Sequence, residues 1–338
     1  MLDKKFHSIK MKEDNSLYPL KFQPILKEKI WGGTRLKKLF NKQTESDKIG
    51  ESWELSGFEG DESIVSNGFL AGNNLTELIE IYMGDLVGDK IFEEFGLTFP
   101  LLFKLIDAND DLSIQVHPDD ETAAQRHNSL GKTEMWYVID AEPGGELIVG
   151  FINDCSREEY LKALEEGRVA DLLKRVPVSK GDVIYIPAGL VHAIKKGVLV
   201  AEIQETSDLT YRIFDYKRTD EHEKERELHT ELALDVINFS ATKNPKVEYE
   251  SKVNAVTTLV SCDYFTTNLL IFNRNIIRNY SSLDSFVVYM CLEGNFILEC
   301  ENHKILVEKG ETVLIPASLD EVSLIPNGEV KLLEVFIQ

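Results

Sequence analysis

The chain has 338 residues, of which 43% are hydrophobic, 28% charged and 9% aromatic. These proportions are typical of a globular protein and exclude a disordered or collagen-like chain. With 37 basic and 58 acidic residues, the net charge is −21. We expect no nucleic-acid partner, because this charge repels a phosphate backbone. The length predicts two structural units of roughly 150 residues each.

The four cysteines have no CxxC spacing and are too sparse for a disulfide framework. The longest apolar run, Val287 to Leu292, is far shorter than the ~18 residues that a membrane helix needs. The first residues are charged and lack the apolar block of a secretory signal. We therefore expect free thiols, a cytoplasmic protein and no membrane partner. Residues 1–18 are expected to form a polar N-terminal arm.

Short strands dominate the predicted elements. Capping-box patterns that begin at Asn74 and Ser156 predict two short packing helices. Runs punctuated by Gly, Pro, Asn and Asp predict strands at Phe99 to Ile106, Leu112 to His117, Met135 to Ile139, Glu146 to Phe151, Val183 to Pro187 and Val198 to Gln204. This rhythm is typical of an antiparallel barrel or sandwich. A polar stretch over residues 238–252 indicates a domain boundary.

An internal repeat supports two units. Residues 181–192 are echoed 129 positions later by residues 310–321, with the strand, the proline and the turn retained. In the second copy, Ser318 replaces Gly189 and Glu321 replaces His192. The second unit is therefore expected to keep the turn and to lack the candidate ligand.

Residues 181–192 fit the pattern Gly-x5-Pro-x-Gly-x2-His completely, and this pattern is the second sequence motif of the cupin barrels. The resemblance implies a mainly β fold of two cupin-type (jelly-roll) β-barrels with a few short packing helices. His192 is then a candidate metal ligand. The alternative is a hydrogen-bonded histidine of the core.

The strand from Leu112 to His117 places Ser113, Gln115 and His117 on one face, opposite three aliphatic side chains. A histidine and an amide that point the same way predict a polar site. A half-exposed edge strand with a surface histidine is the alternative.

Glu134 leads an apolar strand, where a buried carboxylate needs a partner to offset its desolvation. A metal is one such partner, and an ion pair with Lys132 is another. Two imidazoles and one carboxylate form a zinc-type site with room for a further oxygen ligand. When Tyr137 is aligned with Tyr289, the counterpart of Glu134 in the second unit is Phe286.

Arg212 lies between tyrosine and isoleucine in a strand-like run. This position suits a bidentate clamp for an oxyanion better than a solvated arginine. A structural ion pair with Asp208 or Asp215 is the alternative. Lys132, two residues before Glu134, is a second cation expected near the same opening.

Six segments together resemble the mannose-6-phosphate isomerases, and most closely their short bacterial form, the type I phosphomannose isomerases. They begin at Ile30, Ser113, Gly131, Ile186, Ser207 and Arg226. The resemblance implies one Zn²⁺ per chain and the interconversion of mannose 6-phosphate and fructose 6-phosphate through a cis-enediol.

The same resemblance assigns roles to individual residues. His117, Glu134 and His192 match zinc ligands, and Gln115 matches a fourth ligand of the longer isomerases. The resemblance further implies catalytic roles for Arg212, Lys132 and Glu202. A proton transfer between two carbons needs a base, and Glu202 is our choice, with Lys132 or metal-bound water as alternatives.

We expect a catalytic cupin domain with helical insertions over residues 19–245 and a metal-free, cupin-like domain over residues 246–338. Two other functions are compatible with the residues: a non-catalytic cupin that binds a sugar phosphate, and a metal-dependent cupin oxygenase. The two cations, Lys132 and Arg212, favour an anionic sugar over dioxygen. The oligomeric state, monomer or dimer, is left open.

Overall fold

The computed structural model describes residues 16–219 and 224–338. The expected polar arm, residues 1–18, falls mostly outside these ranges. Its last two residues do not belong to a solvated arm, since Leu17 and Tyr18 are only 5% and 2% exposed. The Tyr18 hydroxyl donates a hydrogen bond to the Asn67 carbonyl (2.8 Å) and accepts one from the Leu70 amide (2.9 Å). These bonds fix the tyrosine in the core.

Short strands are the main regular elements of the described chain. The strands are β1 (Leu20–Lys21), β2 (Ile25–Gly33), β3 (Ile49–Leu55), β4 (Leu101–Asp107), β5 (Ile114–Val116), β6 (Glu134–Ala141), β7 (Glu146–Phe151), β8 (Leu173–Pro177), β9 (Val183–Ile186), β10 (His192–Ile194), β11 (Val198–Glu205), β12 (Tyr211–Phe214), β13 (Ala255–Ser261), β14 (Thr266–Phe272), β15 (Ile276–Asn279), β16 (Val287–Glu293), β17 (Asn295–Cys300), β18 (His303–Glu308), β19 (Thr312–Ile315), β20 (Glu321–Pro326) and β21 (Val330–Phe336).

The helices are short. They are α1 (Arg35–Phe40), α2 (Leu75–Tyr82), α3 (Gly84–Val87), α4 (Asp89–Phe95), α5 (Asp120–His127), α6 (Arg157–Glu165) and α7 (Thr230–Val236), with a 3-10 turn at Val169–Leu172. The two predicted capping boxes are confirmed at the starts of α2 and α6. In each, the side chain of the cap residue accepts a hydrogen bond from the amide of the third helical residue, a glutamate. The carboxylate of that glutamate accepts one from the amide of the cap residue. No helix in the described part of the chain is long and apolar enough to cross a membrane.

Four antiparallel sheets form two units. The first unit has a six-stranded sheet, β2-β3-β4-β11-β6-β9, and a five-stranded sheet, β12-β5-β10-β7-β8. The second has a six-stranded sheet, β1-β19-β16-β21-β14-β13, and a four-stranded sheet, β15-β20-β17-β18. The prediction of a mainly β fold with two cupin-type jelly-roll units and few helices is confirmed. The paired sheets stay open at their edges and do not close into barrels.

Alternation along the strands sends side chains into separate cores. Trp136 and Val149 pack between the two sheets of the first unit, and Tyr289 and Phe296 do so in the second. The largest apolar cluster lies between the two six-stranded sheets and joins the units. A further cluster packs α6 and α7 against the outer face of the five-stranded sheet. The two units therefore share one continuous apolar interface.

The chain crosses between units near its start, because β1 pairs with β19 of the second unit. The division expected between residues 245 and 246 stays a prediction.

The strand ladders correct the alignment of the repeat. Glu134 pairs with Ile186, and Val287 pairs with Ile315, which lies 129 residues after Ile186. The counterpart of Glu134 is therefore Val287, and the predicted counterpart, Phe286, is wrong by one residue. A shift of one residue moves a side chain to the opposite face of a sheet. Phe286 accordingly packs in the cluster between the units.

Candidate metal centre and active site

Three strand ends bring the predicted ligands together. His117 follows β5, Glu134 begins β6 and His192 begins β10. The turn before β10 needs Gly189, whose φ is +82° and whose amide donates to the His117 carbonyl at 2.9 Å. A Cβ there would lie 2.8 Å from the Val236 carbonyl oxygen. The cupin motif thus holds the two histidines in neighbouring strands.

The ligand atoms of these three residues converge within 4.8 Å of one another. Nε2 of His117 lies 3.7 Å from Oε2 of Glu134, and Nε2 of His192 lies 3.4 Å from Oε1. Each imidazole bonds through Nδ1 to a main-chain carbonyl, that of Leu209 at 2.7 Å or Leu190 at 2.8 Å. Because Nδ1 carries the proton in such a bond, the Nε2 lone pairs face the carboxylate.

Burial of these polar atoms costs desolvation free energy unless a cation binds between them. His117 is 1% exposed, and Glu134 and His192 are 0% exposed. Within the described residues, Nε2 of His117 and both carboxylate oxygens of Glu134 have no hydrogen-bond partner. Three orphaned acceptors of two types around one point fit a divalent metal of the zinc class. The residues present therefore fit the expected metal.

The protonation states suit metal binding. Burial lowers the pKa of His192 to about 4, and burial followed by the charges of Lys132 and His192 lowers that of His117 well below its usual value. Both imidazoles are therefore neutral near pH 7. Burial raises the pKa of Glu134 to about 7, and the charge of Lys132 limits the rise.

A cavity of about 250 Å³ opens directly above the ligands. His117, Glu134 and His192 do not line it themselves. Polar and charged side chains do, among them Lys104, Gln115, Lys132, Glu202, Arg212 and Arg226. The structure therefore gathers the remaining predicted site residues, Gln115, Lys132, Glu202 and Arg212, around one opening.

Gln115 and Lys132 connect the cavity to the ligands below. Nε2 of Gln115 lies 3.3 Å from Nε2 of His192, and the two residues pair across β5 and β10. Nζ of Lys132 lies 3.1 Å from Oε2 of Glu134, so the ion pair weighed as an alternative for Glu134 is present. Burial would lower the pKa of Lys132, but the charges of Glu134 and Glu202 raise it above its usual value. Lys132 is therefore a fixed cation.

Glu202 is a buried carboxylate with two donors. It accepts from Nε1 of Trp136 at 2.8 Å, and Nζ of Lys104 lies 3.2 Å from its other oxygen. Glu202 pairs with Lys104 on one side of β11 and with Trp136 on the other. Burial would raise its pKa, but the charges of Lys104 and Lys132 hold the pKa below the usual value.

Arg212 does not form the ion pair with Asp215 that we considered. Arg226 donates hydrogen bonds to the Asp215 carboxylate through Nε (2.6 Å) and Nη2, and Arg218 donates one as well. Among the described residues, Nε of Arg212 has no hydrogen-bond partner, while Nη1 donates to the Glu227 carbonyl at 2.9 Å. Burial and then the charge of Arg226 lower the pKa of Arg212. The guanidinium keeps free donors at the cavity.

Sequence reasoning missed Lys104 and did not assign Arg226 a place in the site. Lys104 is 3% exposed and donates to the Gln204 side chain at 2.6 Å. A signal was available, since Lys104 has apolar neighbours on both sides in β4, the pattern that singled out Arg212. Arg226 gave no such signal, because it lies in a charged loop.

Two family models match this chain. The catalytic domain of type I phosphomannose isomerase matches residues 19–150, and the cupin domain of mannose-6-phosphate isomerase matches residues 255–337. The mannose-6-phosphate isomerase ManA of Bacillus subtilis (strain 168) is 38% identical over 312 residues, which cover 90% of this chain and 95% of the relative. The chain belongs to the type I phosphomannose isomerase family. The predictions of this family and of an isomerase enzyme are confirmed.

Other relatives agree with this family. The mannose-6-phosphate isomerase of Streptococcus mutans serotype c is 35% identical over 302 residues, 89% of this chain and 93% of the relative. The crystal structure of the Bacillus subtilis mannose 6-phosphate isomerase has a TM-score of 0.85 at 33% identity, over 95% of this chain and 100% of that chain. A variant of the Salmonella typhimurium phosphomannose isomerase shares the fold, with a TM-score of 0.79 at 16% identity, over 94% of this chain and 99% of that chain.

Proposed function

We propose that this phosphomannose isomerase family member is a zinc-dependent enzyme that interconverts mannose 6-phosphate and fructose 6-phosphate. The observation that carries the proposal is the buried group of His117, Glu134 and His192, in which Nε2 of His117 and both carboxylate oxygens of Glu134 have no hydrogen-bond partner among the described residues. They lie beneath a cavity lined by Lys132 and Arg212. The family supplies the substrate class, and the side chains supply the required chemistry.

The proposed reaction moves one proton between C1 and C2 of the sugar through a cis-enediol. The metal, when bound, supplies a Lewis acid that stabilises negative charge on O1 and O2. His117, Glu134 and His192 would hold it, and Gln115, which pairs with His192 across β5 and β10, would complete its ligands through its amide oxygen.

We assign the base to Glu202. Its lowered pKa keeps it a carboxylate near neutral pH, and Trp136 and Lys104 fix its orientation at the cavity wall. A base with a low pKa accepts a proton less readily, so proton transfer to Glu202 depends on the position of the two carbons. Lys132 is unsuited to be the base, because its raised pKa keeps it protonated.

The cations have separate roles in this proposal. Lys132, buried and 3.1 Å from Glu134, would stabilise charge on the sugar oxygens near the metal ligands. Arg212 would bind an anionic group of the substrate through its free donors and so orient the sugar. Gln115 pairs with Arg212 across β5 and β12, which places the clamp next to the ligands.

The test is metal analysis of the purified protein, combined with an assay of mannose 6-phosphate conversion before and after chelation. We expect about one zinc per chain, loss of turnover on chelation and recovery when Zn²⁺ is added. Solvent deuterium incorporated at C1 or C2 would support the enediol. An inactive, zinc-loaded protein would refute the isomerase assignment. The cytoplasmic location stays a prediction.

A further inference from the structure

Hydrogen bonds from three consecutive main-chain amides hold residues 131–133, the segment just before β6 that contains Lys132. The Gly131 amide donates to Oδ1 of Asp120 at 2.8 Å, and the Lys132 amide donates to the Pro118 carbonyl at 3.1 Å. The Thr133 amide donates to Oε2 of Glu205 at 2.6 Å. A Cβ on Gly131 would lie 2.6 Å from the Asp120 amide nitrogen, so this approach requires glycine. Two carboxylates therefore fix the backbone immediately before Glu134.

Glu205 occupies a point where several elements meet. It is the last residue of β11, is 5% exposed, and its own amide donates to the Thr133 carbonyl at 3.2 Å. Burial, and then the charge of Asp120 together with a hydrogen bond to it, raise the pKa of Glu205 to about 8. Near pH 7 Glu205 therefore keeps its proton, which it shares with Asp120 through the hydrogen bond between them.

The second unit reaches this pair through Tyr264. The tyrosine lies in the turn between β13 and β14, which the Cys262 amide closes by donating to the Phe265 carbonyl at 3.0 Å. Burial, and then the charges of Glu205 and Asp120, raise the pKa of Tyr264, whose hydroxyl lies beside the side chains of Asp120 and Thr133. A side chain of the second unit therefore lies next to the residue that separates Lys132 from Glu134.

We propose that Glu205 and Tyr264 are positioning residues for the isomerase reaction, acting through the main chain of residues 131–133 on Lys132 and Glu134. The inference rests on the proposed function for its catalytic consequence. In this proposal the second unit contributes to the site of the first unit. The turn between β13 and β14 fixes the segment that leads to Lys132 and Glu134.

A pH dependence follows from the groups around Glu205. Asp120 of α5, Tyr264 of the second unit and Tyr185 of β9 face it. Because the pKa of Glu205 is raised, its shared proton is present below about pH 8 and lost above it. Two charged carboxylates then repel each other and loosen the loop. We expect kcat to fall as the pH rises through about 8.

Three variants test the positioning role. Glu205→Gln keeps an acceptor for the Thr133 amide and a donor for Asp120, so it should retain near-parental kcat and lose the fall above pH 8. Glu205→Ala removes both contacts, and Tyr264→Phe removes only the hydroxyl. Each should lower kcat by about tenfold or more with little change in KM.

Amide hydrogen exchange supplies a readout that needs no activity. Exchange at residues 131–134 should rise at least about tenfold in Glu205→Ala and Tyr264→Phe, and stay at the parental rate in Glu205→Gln. The control is Tyr249→Phe, which removes another tyrosine hydrogen bond, to the Gly181 carbonyl at 2.6 Å, and should leave this segment protected.

The outcomes separate the two proposals. An inactive parent with increased exchange in the two disruptive variants would refute the proposed function and keep the positioning role. An active parent with unchanged exchange and unchanged kcat in both variants would overturn the positioning role. A fall in kcat above pH 8 that persists in Glu205→Gln would overturn the shared-proton account.

Discussion

Glu134 and Val287 occupy the same position in the six-stranded sheets of the two units, opposite Ile186 and Ile315. The first is a buried carboxylate beside two imidazoles, and the second is a valine packed in an apolar core. The fold has therefore been kept in the second unit, while an aliphatic side chain replaces the candidate ligand. Val287 offers no carboxylate to balance the charge of a divalent ion, and the buried Glu334 of this unit bonds to Arg278 and Tyr280 instead.

Glu321, the residue of the second unit that replaces His192, is expected to have no role in catalysis. Glu321 is exposed and begins β20. Glu321→Ala should leave turnover at the parental level and change the free energy of unfolding by no more than about 0.5 kcal/mol, the range usual for surface changes. Steady-state kinetics and denaturant unfolding would check this. Metal bound at Glu321 would contradict the prediction.

Removal of His192 should abolish metal binding without unfolding the chain. His192→Ala deletes one of three converging ligands and leaves the turn at Gly189 intact, so bound zinc and turnover should fall to background. Metal analysis and circular dichroism are the measurements. His303→Ala, a histidine of the second unit stacked on Tyr18, is the matched control and should keep its zinc. Stoichiometric zinc in His192→Ala would refute the ligand assignment.

Zinc affinity should depend on pH through Glu134 first. Its pKa of about 7 in the metal-free protein means that zinc must displace a proton below that pH, whereas His192, with a pKa of about 4, is already neutral. Affinity should therefore fall by about tenfold per pH unit from pH 7 to pH 5. Chelator competition at several pH values measures this slope. A pH-independent affinity over that range would contradict it.

Local patterns in the sequence were sufficient to predict the fold class and part of its elements. Runs punctuated by Gly, Pro, Asn and Asp predicted β4 to β7, β9 and β11 with ends shifted by at most a few residues, and the capping boxes at Asn74 and Ser156 predicted two helices. The pairing of β1 with β19 had no local signal, because it joins residues almost 300 positions apart. The alignment through Tyr137 and Tyr289 was wrong by one residue. Because side chains alternate along a strand, a slip of one residue moves every side chain to the opposite face of the sheet.

The site was predictable where a local pattern singled out a polar side chain. Arg212 interrupts an apolar run, Glu134 leads one, His117 shares a strand face with Gln115, and His192 ends the cupin motif. The structure gathers these residues at one place. What surrounds them was not predictable. The partners of Glu202, for example, lie on two neighbouring strands, and which residues face it depends on the register of both ladders.

Replacement of the proposed base should affect the chemical step most. Glu202→Gln keeps the hydrogen bond from Trp136 but cannot accept the sugar proton, so kcat should fall by about 10²-fold or more. Zinc content should not change. The control is Glu54→Gln, which alters another buried carboxylate, one that pairs with Lys42 at 2.6 Å away from the cavity. Parental kcat in Glu202→Gln would assign the base to another group.

Arg212 provides the sharpest test of how the substrate is held. Arg212→Lys keeps the positive charge but loses the planar fork that can hold two oxygens of an anionic group at once. Because such a clamp orients the sugar for proton transfer, kcat/KM for mannose 6-phosphate should fall by at least about tenfold, or about 1.4 kcal/mol of transition-state stabilisation. Steady-state kinetics on both proteins measures the change.

Two further results decide the interpretation of the Arg212 variant. Its zinc content should equal that of the parent, since the guanidinium contacts none of the three ligands and bonds instead to the Glu227 carbonyl. Arg126→Lys, a surface arginine paired with Asp235 at 2.7 Å, should retain parental kinetics. Parental kcat/KM in Arg212→Lys would reduce Arg212 to a structural residue. The orphaned Nε of Arg212 argues for the other outcome, because a purely structural arginine would have its buried donors satisfied within the protein.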